Sequence, residues 1–491
     1  MSFDASIKKT DDKNEHYVIN GKYDIQNGQY GVWEMKKEPK LFVPKGSAVF
    51  VRKIITRIDT KEKQLELYFK DAQGDEITIP FPRKELTEQG IMALLGYGVQ
   101  VLKQDARALI ASIFNQEPES PCILQHEKLG FTEYDEHTVF LGDRAVGAES
   151  KYCGKLQIGE KGKYKTWKKL VKEEVLGNTP LEFILAVAGS GIFVDYFREK
   201  VQVENIIVSL VGESSSGKTS AGLFMVSCGA KPSFQGDSLV LNFSDTQNAL
   251  LATIPSSYPV LIDEGSLCTY NPTKLLYSLS MGKEKKRLTK DLEKAETGCF
   301  STAIAITSEK SMIGIADENT GLLVRVLEIE NEVWTKSAES ADRIKNTVSD
   351  NYGWLIPKLA EYILDLEQAY GQEEIVSVYW EWHKILIERA KTQGFYNSLT
   401  ERACKQYALI LTSASLIESV MDIELNTDEI IYFIETHSPV REANCADIGA
   451  RALIYLMQYV TKYYNQFVRE GDGDFVPQKY LGRIKNLNCN D

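Results

Sequence analysis

A run of apolar residues followed by a glycine-framed loop lies near the middle of the chain. Residues 206–211 read Ile-Ile-Val-Ser-Leu-Val, and an apolar run of this length bounded by glycine is typical of a strand buried on both faces of a sheet. Ahead of it, the apolar stretch Leu181 to Phe197 predicts a buried helix. That stretch contains Glu182 and Asp195 and is shorter than the roughly 20 residues that a bilayer span requires. We therefore expect no membrane partner.

Upstream of that helix, apolar and polar residues alternate in short runs separated by turn residues. This period of two predicts strands. We expect residues 1–150 to form a mostly β domain, in which one segment, Leu86 to about Phe114, has helical spacing instead. Residues 151–199 follow as a lysine-rich linker and the buried helix. The lysines of the linker are interpreted as a solvated surface rather than as a phosphate-binding one.

Downstream of the apolar strand, short apolar runs alternate with helical segments, which predicts an α/β domain over residues 200–350. Residues 351–491 form the predicted helical C-terminal domain. The segment 471–484 resembles one strand of a winged-helix wing, so part of such a motif is expected there. Four helices are expected in this domain: Glu374 to Thr392, Leu399 to Met421, Thr427 to Thr436 and Ala446 to Arg469.

Composition restricts the classes of protein that fit these elements. With 43% hydrophobic and 26% charged residues the chain is an ordinary globular sequence, and its formal net charge is −12. An acidic protein does not bind nucleic acid over its whole surface, so any contact with DNA must be local. The eight cysteines are scattered without C-x-x-C pairs, which indicates neither a zinc site nor a disulfide framework. Because free thiols fit a reducing compartment, we expect a cytoplasmic protein.

The loop after the apolar strand has the composition of a nucleotide phosphate cradle. Gly212 and Gly217 frame a G-x-x-x-x-G-K-[ST] motif, whose backbone N–H groups and following helix start attract phosphates. Lys218 is expected to reach the β- and γ-phosphate oxygens, and the hydroxyl of Thr219 to ligate Mg²⁺. The residues predicted to bind the nucleotide are Gly212, Glu213, Ser214, Ser215, Ser216, Gly217, Lys218, Thr219 and Ser220.

A second apolar run, residues 258–262, ends in two carboxylates, Asp263 and Glu264. After a phosphate loop, this pair is typical of a Walker B motif: Asp263 would hold Mg²⁺ through water, and Glu264 would orient and deprotonate the attacking water. The next predicted strand ends in two hydroxyl residues. Ser308 is the first choice for a sensor of the γ-phosphate, and Thr307 is the alternative. The predicted cofactors are ATP and Mg²⁺.

Two arginines and one basic segment are further candidates. Arg325 begins an otherwise apolar strand and is interpreted either as an arginine finger for the nucleotide of a neighbouring subunit or as one side of an internal salt bridge. Arg402 begins a C-terminal helix and fits a surface arginine better than a second sensor. Between the Walker B strand and the sensor strand lies a basic insert that either contacts nucleic acid or is an exposed loop: Lys283, Lys285, Lys286, Arg287 and Lys290.

These motifs together resemble those of the AAA+ ATPases. A narrower resemblance is to a family of mobile-element ATPases that includes the MCM-like helicases of staphylococcal chromosome cassettes, and it covers about Tyr17 to Leu411. A turn at Gly130-Phe131 is similar as well, with Phe131 where Trp is expected. The narrower resemblance is carried by Ser214 to Thr219, Met281 to Lys283, Ser308-Glu309 and Val324 to Leu327.

The resemblance implies an α/β P-loop (AAA+) ATPase core at residues 200–350, preceded by the mostly β N-terminal domain and followed by a helical lid with a winged-helix-like end. It implies Mg²⁺-dependent ATP hydrolysis by a hexamer that translocates on or unwinds DNA during replication of a mobile genetic element. The basic insert would then form a β-hairpin that contacts a single strand in the central channel. The alternative is a regulatory or protein-remodelling ATPase, for example in phage defence, without helicase activity.

Overall fold

The computed structural model describes residues 17–19, 23–34, 41–283, 298–316 and 321–440, together with short stretches between residues 456 and 484. Within these ranges the strands are β1 (Tyr17–Ile19), β2 (Tyr23–Gln26), β3 (Gln29–Glu34), β4 (Leu41–Ser47), β5 (Val49–Arg57), β6 (Lys63–Lys70), β7 (Glu76–Pro82), β8 (Cys122–His126), β9 (Gly130–Tyr134), β10 (His137–Leu141), β11 (Ser150–Tyr152), β12 (Ile206–Val211), β13 (Val240–Asn242), β14 (Val260–Asp263), β15 (Ala303–Ser308), β16 (Val326–Glu330), β17 (Phe467–Arg469) and β18 (Gly482–Ile484).

The helices of the same ranges are α1 (Glu88–Ile91), α2 (Ala106–Gln116), α3 (Tyr164–Leu170), α4 (Thr179–Val201), α5 (Lys218–Ser227), α6 (Gln247–Thr253), α7 (Pro272–Met281), α8 (Met312–Ile315), α9 (Ala338–Asp350), α10 (Leu355–Tyr370), α11 (Gln372–Thr392), α12 (Ser398–Met421) and α13 (Thr427–His437). The protein is therefore a mixed α/β structure with a helical C-terminal region.

Five parallel strands in the order β13-β14-β15-β12-β16 form the central sheet. The interior strand β12 pairs with β15 on one side and with β16 on the other, so that Val208 lies opposite both Ala305 and Leu327. All six residues of β12 are buried, as expected for a parallel strand covered by helices on both faces. The prediction of a doubly buried strand at residues 206–211 is confirmed.

The helix α4 is the main apolar support of this sheet. It is 23 residues long and packs against α5, α12 and β15. Its most apolar 18-residue window is long and apolar enough to cross a membrane, but 89% of that window is buried inside the protein. A core helix of a globular protein has the same length and composition, so the predicted buried helix is confirmed.

The N-terminal region contains mostly strands, as the alternating pattern predicts. β1 to β4 form an antiparallel sheet, and β11-β8-β5-β6-β7 form a second, mixed sheet on which α2 packs. The predicted helical segment is present only as α1, α2 and short 3₁₀ turns, and the break between the two helices contains Gly96 and Gly98, which are poor helix formers.

The lysine-rich segment after residue 150 is more structured than the predicted linker. It includes α3, whose Trp167 is fully buried and donates a hydrogen bond from Nε1 to Oγ of Ser227 on α5 at 3.2 Å. Lys165 and Lys169 are exposed to solvent. The lysines therefore form the solvated face of a helix that packs on the α/β region through its apolar side.

Three of the four predicted C-terminal helices are present as α11, α12 and α13. The chain also forms α9 and α10, which the sequence did not predict. Most of the fourth predicted helix, Ala446 to Arg469, lies outside the described residues, and its last three residues form β17 instead of helix. β17 and β18 pair in parallel, whereas the strands of a wing form an antiparallel hairpin. Most of the segment 471–484, for which one strand of a wing was predicted, lies outside the described residues, so the partial winged-helix end stays a prediction.

A buried carboxylate joins the N-terminal β9–β10 hairpin to the α/β region. Asp195 on α4 accepts hydrogen bonds from the backbone N–H of Phe131 at 2.8 Å and from Oγ of Ser257 at 2.7 Å. Gly130 has a φ of +102°, and a Cβ at this position would lie 2.2 Å from Oδ2 of Asp195, so no other residue fits there. Burial raises the pKa of Asp195 to about 6, because the loss of hydration outweighs its hydrogen bonds.

The raised pKa of Asp195 predicts a pH dependence of stability. Because the folded-state pKa of about 6 exceeds the reference value of 3.8, this group stabilises the fold below about pH 4, and the contribution is lost as pH rises through 6. Asp195→Asn stays neutral, so its free energy of unfolding relative to wild type should rise between pH 4.5 and pH 7.5, by about 2 kcal/mol. Urea unfolding at both pH values measures this. Parallel stability curves for the two proteins would contradict the prediction.

Candidate functional site

The loop after β12 lies at the edge of the sheet where the carboxyl ends of its parallel strands meet. Its last residue, Gly217, has a φ of +88°, and a Cβ there would lie 2.7 Å from Oγ1 of Thr335. Both backbone and packing therefore require glycine. Ser215 also has a positive φ, +71°. Backbone N–H groups in such turns converge on a concave surface that binds anions. A turn with these properties thus lies where the sequence predicts the cradle.

Lys218, the first residue of α5, is only 8% exposed. Its Nζ donates hydrogen bonds to the carbonyl oxygens of Gly212 at 2.7 Å and Glu213 at 2.6 Å, so the ammonium group lies within the loop. Burial lowers the pKa of Lys218, and the charges of Glu309 and Asp263 act against this shift. The loop thus contains one cation at the place where the sequence predicts the phosphate-binding lysine.

Thr307 on β15 is bonded to both residues of the predicted Walker B pair, which lies at the end of the neighbouring strand β14. Its Oγ1 donates a hydrogen bond to Oδ1 of Asp263 and accepts one from the backbone N–H of Glu264 at 3.1 Å. Glu264 has a φ of +60°, a left-handed conformation that is costly for residues other than glycine and that occurs often at functional sites. The hydroxyl of Thr307 therefore has a positioning role that the sequence did not indicate.

Ser308, the first choice for the sensor, lies beside the phosphate loop. It pairs with Val211 in the sheet, and its carbonyl oxygen accepts a hydrogen bond from the N–H of Gly212 at 3.2 Å. Its Oγ lies 3.4 Å from Oγ of Ser266. Ser308 and Thr307 are thus both at the site, with Ser308 nearer the loop and Thr307 bonded to Asp263.

These residues line one cavity of about 740 Å³, a volume in the usual range for a small-molecule site. Gly212 and Glu213 are not among the residues that line the cavity, but their carbonyl oxygens accept the hydrogen bonds of Lys218. The predicted residues on its walls are Ser214, Ser215, Ser216, Gly217, Lys218, Thr219, Ser220, Asp263, Glu264, Thr307 and Ser308. The fold therefore brings the phosphate loop, the acidic pair and both sensor candidates together.

One part of the cavity wall was not predicted from the sequence. It consists of Val333, residues 335–337 and one face of α9, which places Ala338, Ala341, Asp342 and Lys345 toward the cavity. Their spacing of three and four residues indicates a single helix face, but nothing in the spacing shows what that face meets. Hydrogen bonds hold this wall to the phosphate loop, from Trp334 N–H to the carbonyl of Ser216 at 2.9 Å and from Asn331 N–H to that of Val211 at 2.9 Å.

The side chains at the site fit Mg²⁺ bound together with a nucleotide. In the part of the chain that the structure describes, no group of three or more His, Cys, Asp or Glu side chains could hold a metal ion. Thr219 and Asp263, however, both line the cavity. Mg²⁺ commonly takes one or two protein oxygens and completes its shell with substrate phosphates and water. The pair therefore suits an ion that arrives with phosphates.

The two candidate arginines lie away from the cavity of their own chain. Arg325, just before β16, donates from Nη2 to a carboxylate oxygen of Glu204 at 2.8 Å and from Nη1 to the carbonyl of Gly321 at 2.9 Å. Its guanidinium also lies 5.0 Å from the ring centre of Tyr277. Within one protomer Arg325 thus forms the internal salt bridge that the sequence left open. Arg402 is exposed on α12 and is not among the described residues that line the cavity.

Only the first lysine of the basic insert lies in the described residues. Lys283 forms an antiparallel bridge with Cys299, and the N–H of Phe300 donates to the carbonyl of Gly282 at 3.0 Å, so the chain enters and leaves the insert side by side. Arg198 on α4 donates to the carbonyls of Met281 and Phe300, both at 2.7 Å. The other predicted DNA-binding residues lie outside the described residues: Lys285, Lys286, Arg287 and Lys290.

Comparisons with known proteins identify the family. Residues 11–294 match a protein family described as a domain of unknown function (DUF927). The match covers more than half of the chain and includes the phosphate loop and the Asp263-Glu264 pair. The chain belongs to the DUF927 family. The match ends before β15, so the matched residues include neither the predicted sensor strand nor Arg325.

The fold of the DUF927 chain is also similar to that of a solved structure. It is described as "SCCmec type IV Cch - active helicase", and the similarity has a TM-score of 0.71 and 23% sequence identity, over 95% of this chain and 87% of that chain. The DUF927 protein thus shares the fold of a helicase from a mobile element, which supports the family resemblance seen in the sequence. Among curated proteins none matches.

Proposed function

We propose that this DUF927 protein is a cytoplasmic, Mg²⁺-dependent AAA+ ATPase whose hydrolysis of ATP drives movement on DNA. The observation that carries the proposal is the shared cavity, in which Lys218 of a phosphate loop faces the carboxylates Asp263 and Glu264. A phosphate cradle and an acidic pair in one cavity are the parts that phosphoryl-transfer chemistry requires. The fold shared with a mobile-element helicase supports the DNA-directed part and a role in replication of such an element.

The two ends of the cavity suit the two parts of a nucleotide. The phosphate loop supplies N–H donors and Lys218, so we place the phosphates there. At the other end, the small side chains of Ala338 and Ala341 leave room for a planar base, and Asp342 and Lys345 supply polar groups at the rim. A nucleoside triphosphate would therefore extend from the loop toward α9.

Each side chain at the phosphate end has a task in hydrolysis. Lys218 stabilises negative charge on the phosphate oxygens, while Thr219 and Asp263 hold Mg²⁺, which supplies charge neutralisation there when bound. Glu264 orients the attacking water and takes its proton. Ser308 contacts the γ-phosphate as the sensor, and Thr307 maintains the orientation of Asp263 and Glu264.

The first prediction separates nucleotide binding from hydrolysis. Lys218→Ala should abolish productive ATP binding, whereas Glu264→Gln should bind ATP and lose about 10²–10⁴-fold in turnover, the usual cost of losing a general base. Fluorescent-nucleotide titration and phosphate release measure the two steps. Lys169→Ala, on the exposed side of α3, is the matched control and should behave like wild type. If Glu264→Gln hydrolysed ATP at the wild-type rate, the Walker B role would be refuted.

The second prediction concerns the proposed hexamer, in which Arg325 would act on the nucleotide of the neighbouring subunit. Because Arg325 lies away from the cavity of its own chain, its removal should stop hydrolysis of the nucleotide that the neighbouring subunit binds. The nucleotide site of its own subunit should remain intact. Arginine fingers contribute about 10³–10⁵ in turnover in related enzymes. Mixing inactive Arg325→Ala with inactive Lys218→Ala subunits should restore part of the ATPase activity. A fully active monomer at high dilution would instead show that Arg325 has only its structural salt bridge.

The third prediction concerns DNA and the basic insert. Replacing Lys283, Lys285, Lys286 and Lys290 together by Ala should weaken single-strand binding and flatten its salt dependence, by roughly 0.7 in log–log slope for each phosphate that the insert no longer neutralises. Basal ATPase activity should remain. The control variant replaces four other lysines by Ala, so its charge changes by the same amount, and it should leave the slope unchanged. These four lysines are all exposed: Lys155, Lys161, Lys165 and Lys169. An unchanged slope in the insert variant would support protein remodelling instead of DNA translocation.

A further inference from the structure

One carboxylate at the phosphate loop has no task in the chemistry proposed above. Glu309 follows the last residue of β15, and its Oε1 accepts a hydrogen bond from Oγ of Ser214 in the phosphate loop at 2.7 Å. Its backbone N–H donates to Oγ of Ser266 at 3.1 Å, and the residue lines the same cavity as Lys218 and Asp263. Glu309 thus connects the sensor strand directly to the loop that holds the phosphates.

The position of Glu309 brings its charge close to the expected γ-phosphate. Burial has the largest effect on the pKa of Lys218 and lowers it. The negative charges of Glu309 and Asp263 act in the opposite direction, and the effect of Glu309 is the larger of these two. Lys218 is the residue that reaches the β- and γ-phosphate oxygens. A carboxylate that lines the same cavity as the Lys218 ammonium also repels phosphate oxygens placed against that ammonium.

We propose that Glu309 is a specificity-determining residue that sets the preference of the site between nucleoside triphosphate and nucleoside diphosphate. Its negative charge disfavours the γ-phosphate more than the α- and β-phosphates, and its hydrogen bond to Ser214 closes the loop at the γ-phosphate end. Entry of a triphosphate requires this contact to open. The inference rests on the proposed nucleotide-binding function and adds to it a residue that selects by the number of phosphates.

Glu309 differs from Asp263, the buried carboxylate of the site, in its freedom to move. The carboxylate of Asp263 is held by Thr307, whereas the side chain of Glu264 is exposed and only the backbone N–H of that residue donates to Thr307. The side chain of Glu309 is exposed and is bonded to the hydroxyl of Ser214. Because it is exposed and bonded to the phosphate loop itself, the carboxylate of Glu309 can move away from Ser214 when a phosphate enters.

The test compares triphosphate and diphosphate affinities in the full-length protein. Wild type and Glu309→Gln are titrated in the presence of Mg²⁺ with a fluorescent ADP, which is then displaced by ADP or by a non-hydrolysable ATP analogue. Glu309→Gln should bind the ATP analogue about two- to fivefold more tightly, the range expected for a single partly exposed charge pair. The affinity for ADP should stay within about twofold. The difference should shrink at high salt, because exposed charges are screened.

Two further variants separate charge from the hydrogen bond. Ser214→Ala removes the hydrogen bond but keeps the carboxylate, so it should shift the ratio of triphosphate to diphosphate affinity in the same direction but less than Glu309→Gln. Glu330→Gln is the matched control, because Glu330 is also exposed and ends the strand on the other side of β12, opposite Val211. This control should leave the ratio at its wild-type value.

The outcomes distinguish this inference from the function on which it rests. If wild type binds neither nucleotide, the nucleotide-binding function and the role of Glu309 both fail. If wild type binds both, Lys218→Ala binds neither and Glu309→Gln keeps the wild-type ratio, the function stands and the role of Glu309 is wrong. Weaker triphosphate binding by Glu309→Gln would also overturn the proposal, since it would make Glu309 a favourable contact to the ion or the nucleotide.

Discussion

The pairing of β12 with β15 is the constraint on which the site depends. The register places Val211 opposite Ser308, so the phosphate loop begins level with the end of the neighbouring strand. β15 also pairs with β14 on its other edge, and this brings Thr307 within hydrogen-bond distance of Asp263. A shift by one residue would turn every side chain of β15 to the other face of the sheet and would remove the Thr307 hydrogen bond. Because the strands are buried, their apolar side chains fix this register.

The same sheet is joined to the N-terminal region through α4. This helix carries most of the apolar surface that packs on β15 and α12, but it also carries the buried carboxylate of Asp195, which binds Phe131 and Ser257. Ser257 lies three residues before the start of β14, the strand that ends in Asp263. The hydrogen bonds of Asp195, followed by strand β14, therefore connect the β9–β10 hairpin to the acidic end of the site. Displacement of that hairpin would act on β14 through Asp195.

The charges around the cavity are unbalanced toward the negative. Four carboxylates line its walls against three lysines, of which only Lys218 is buried in the loop: Asp263, Glu264, Glu309 and Asp342 against Lys218, Lys336 and Lys345. A polyphosphate bound here would add further negative charge at short range, where repulsion is strong in a partly buried site. This arrangement accounts for the proposed dependence on Mg²⁺, since an ion that arrives with the phosphates offsets repulsion that Lys218 alone does not. It also explains why the orientation of the Asp263 carboxylate, set by Thr307, and that of the Glu309 carboxylate, set by Ser214, matter.

The sequence by itself determined the features that depend on local backbone requirements and on periodicity. The glycines of the phosphate loop, the doubly buried strand β12, the apolar helix α4 and the C-terminal helices α11 to α13 could be predicted because each is encoded within one short segment. The tertiary structure decided the contacts between distant segments. Ser214 and Glu309 are 95 positions apart, and the salt bridge of Arg325 with Glu204 spans 121 positions. The wall that α9 forms lies near the phosphate loop because β16, the strand before α9, pairs with β12. Such pairings depend on strand order and packing, which no local pattern encodes.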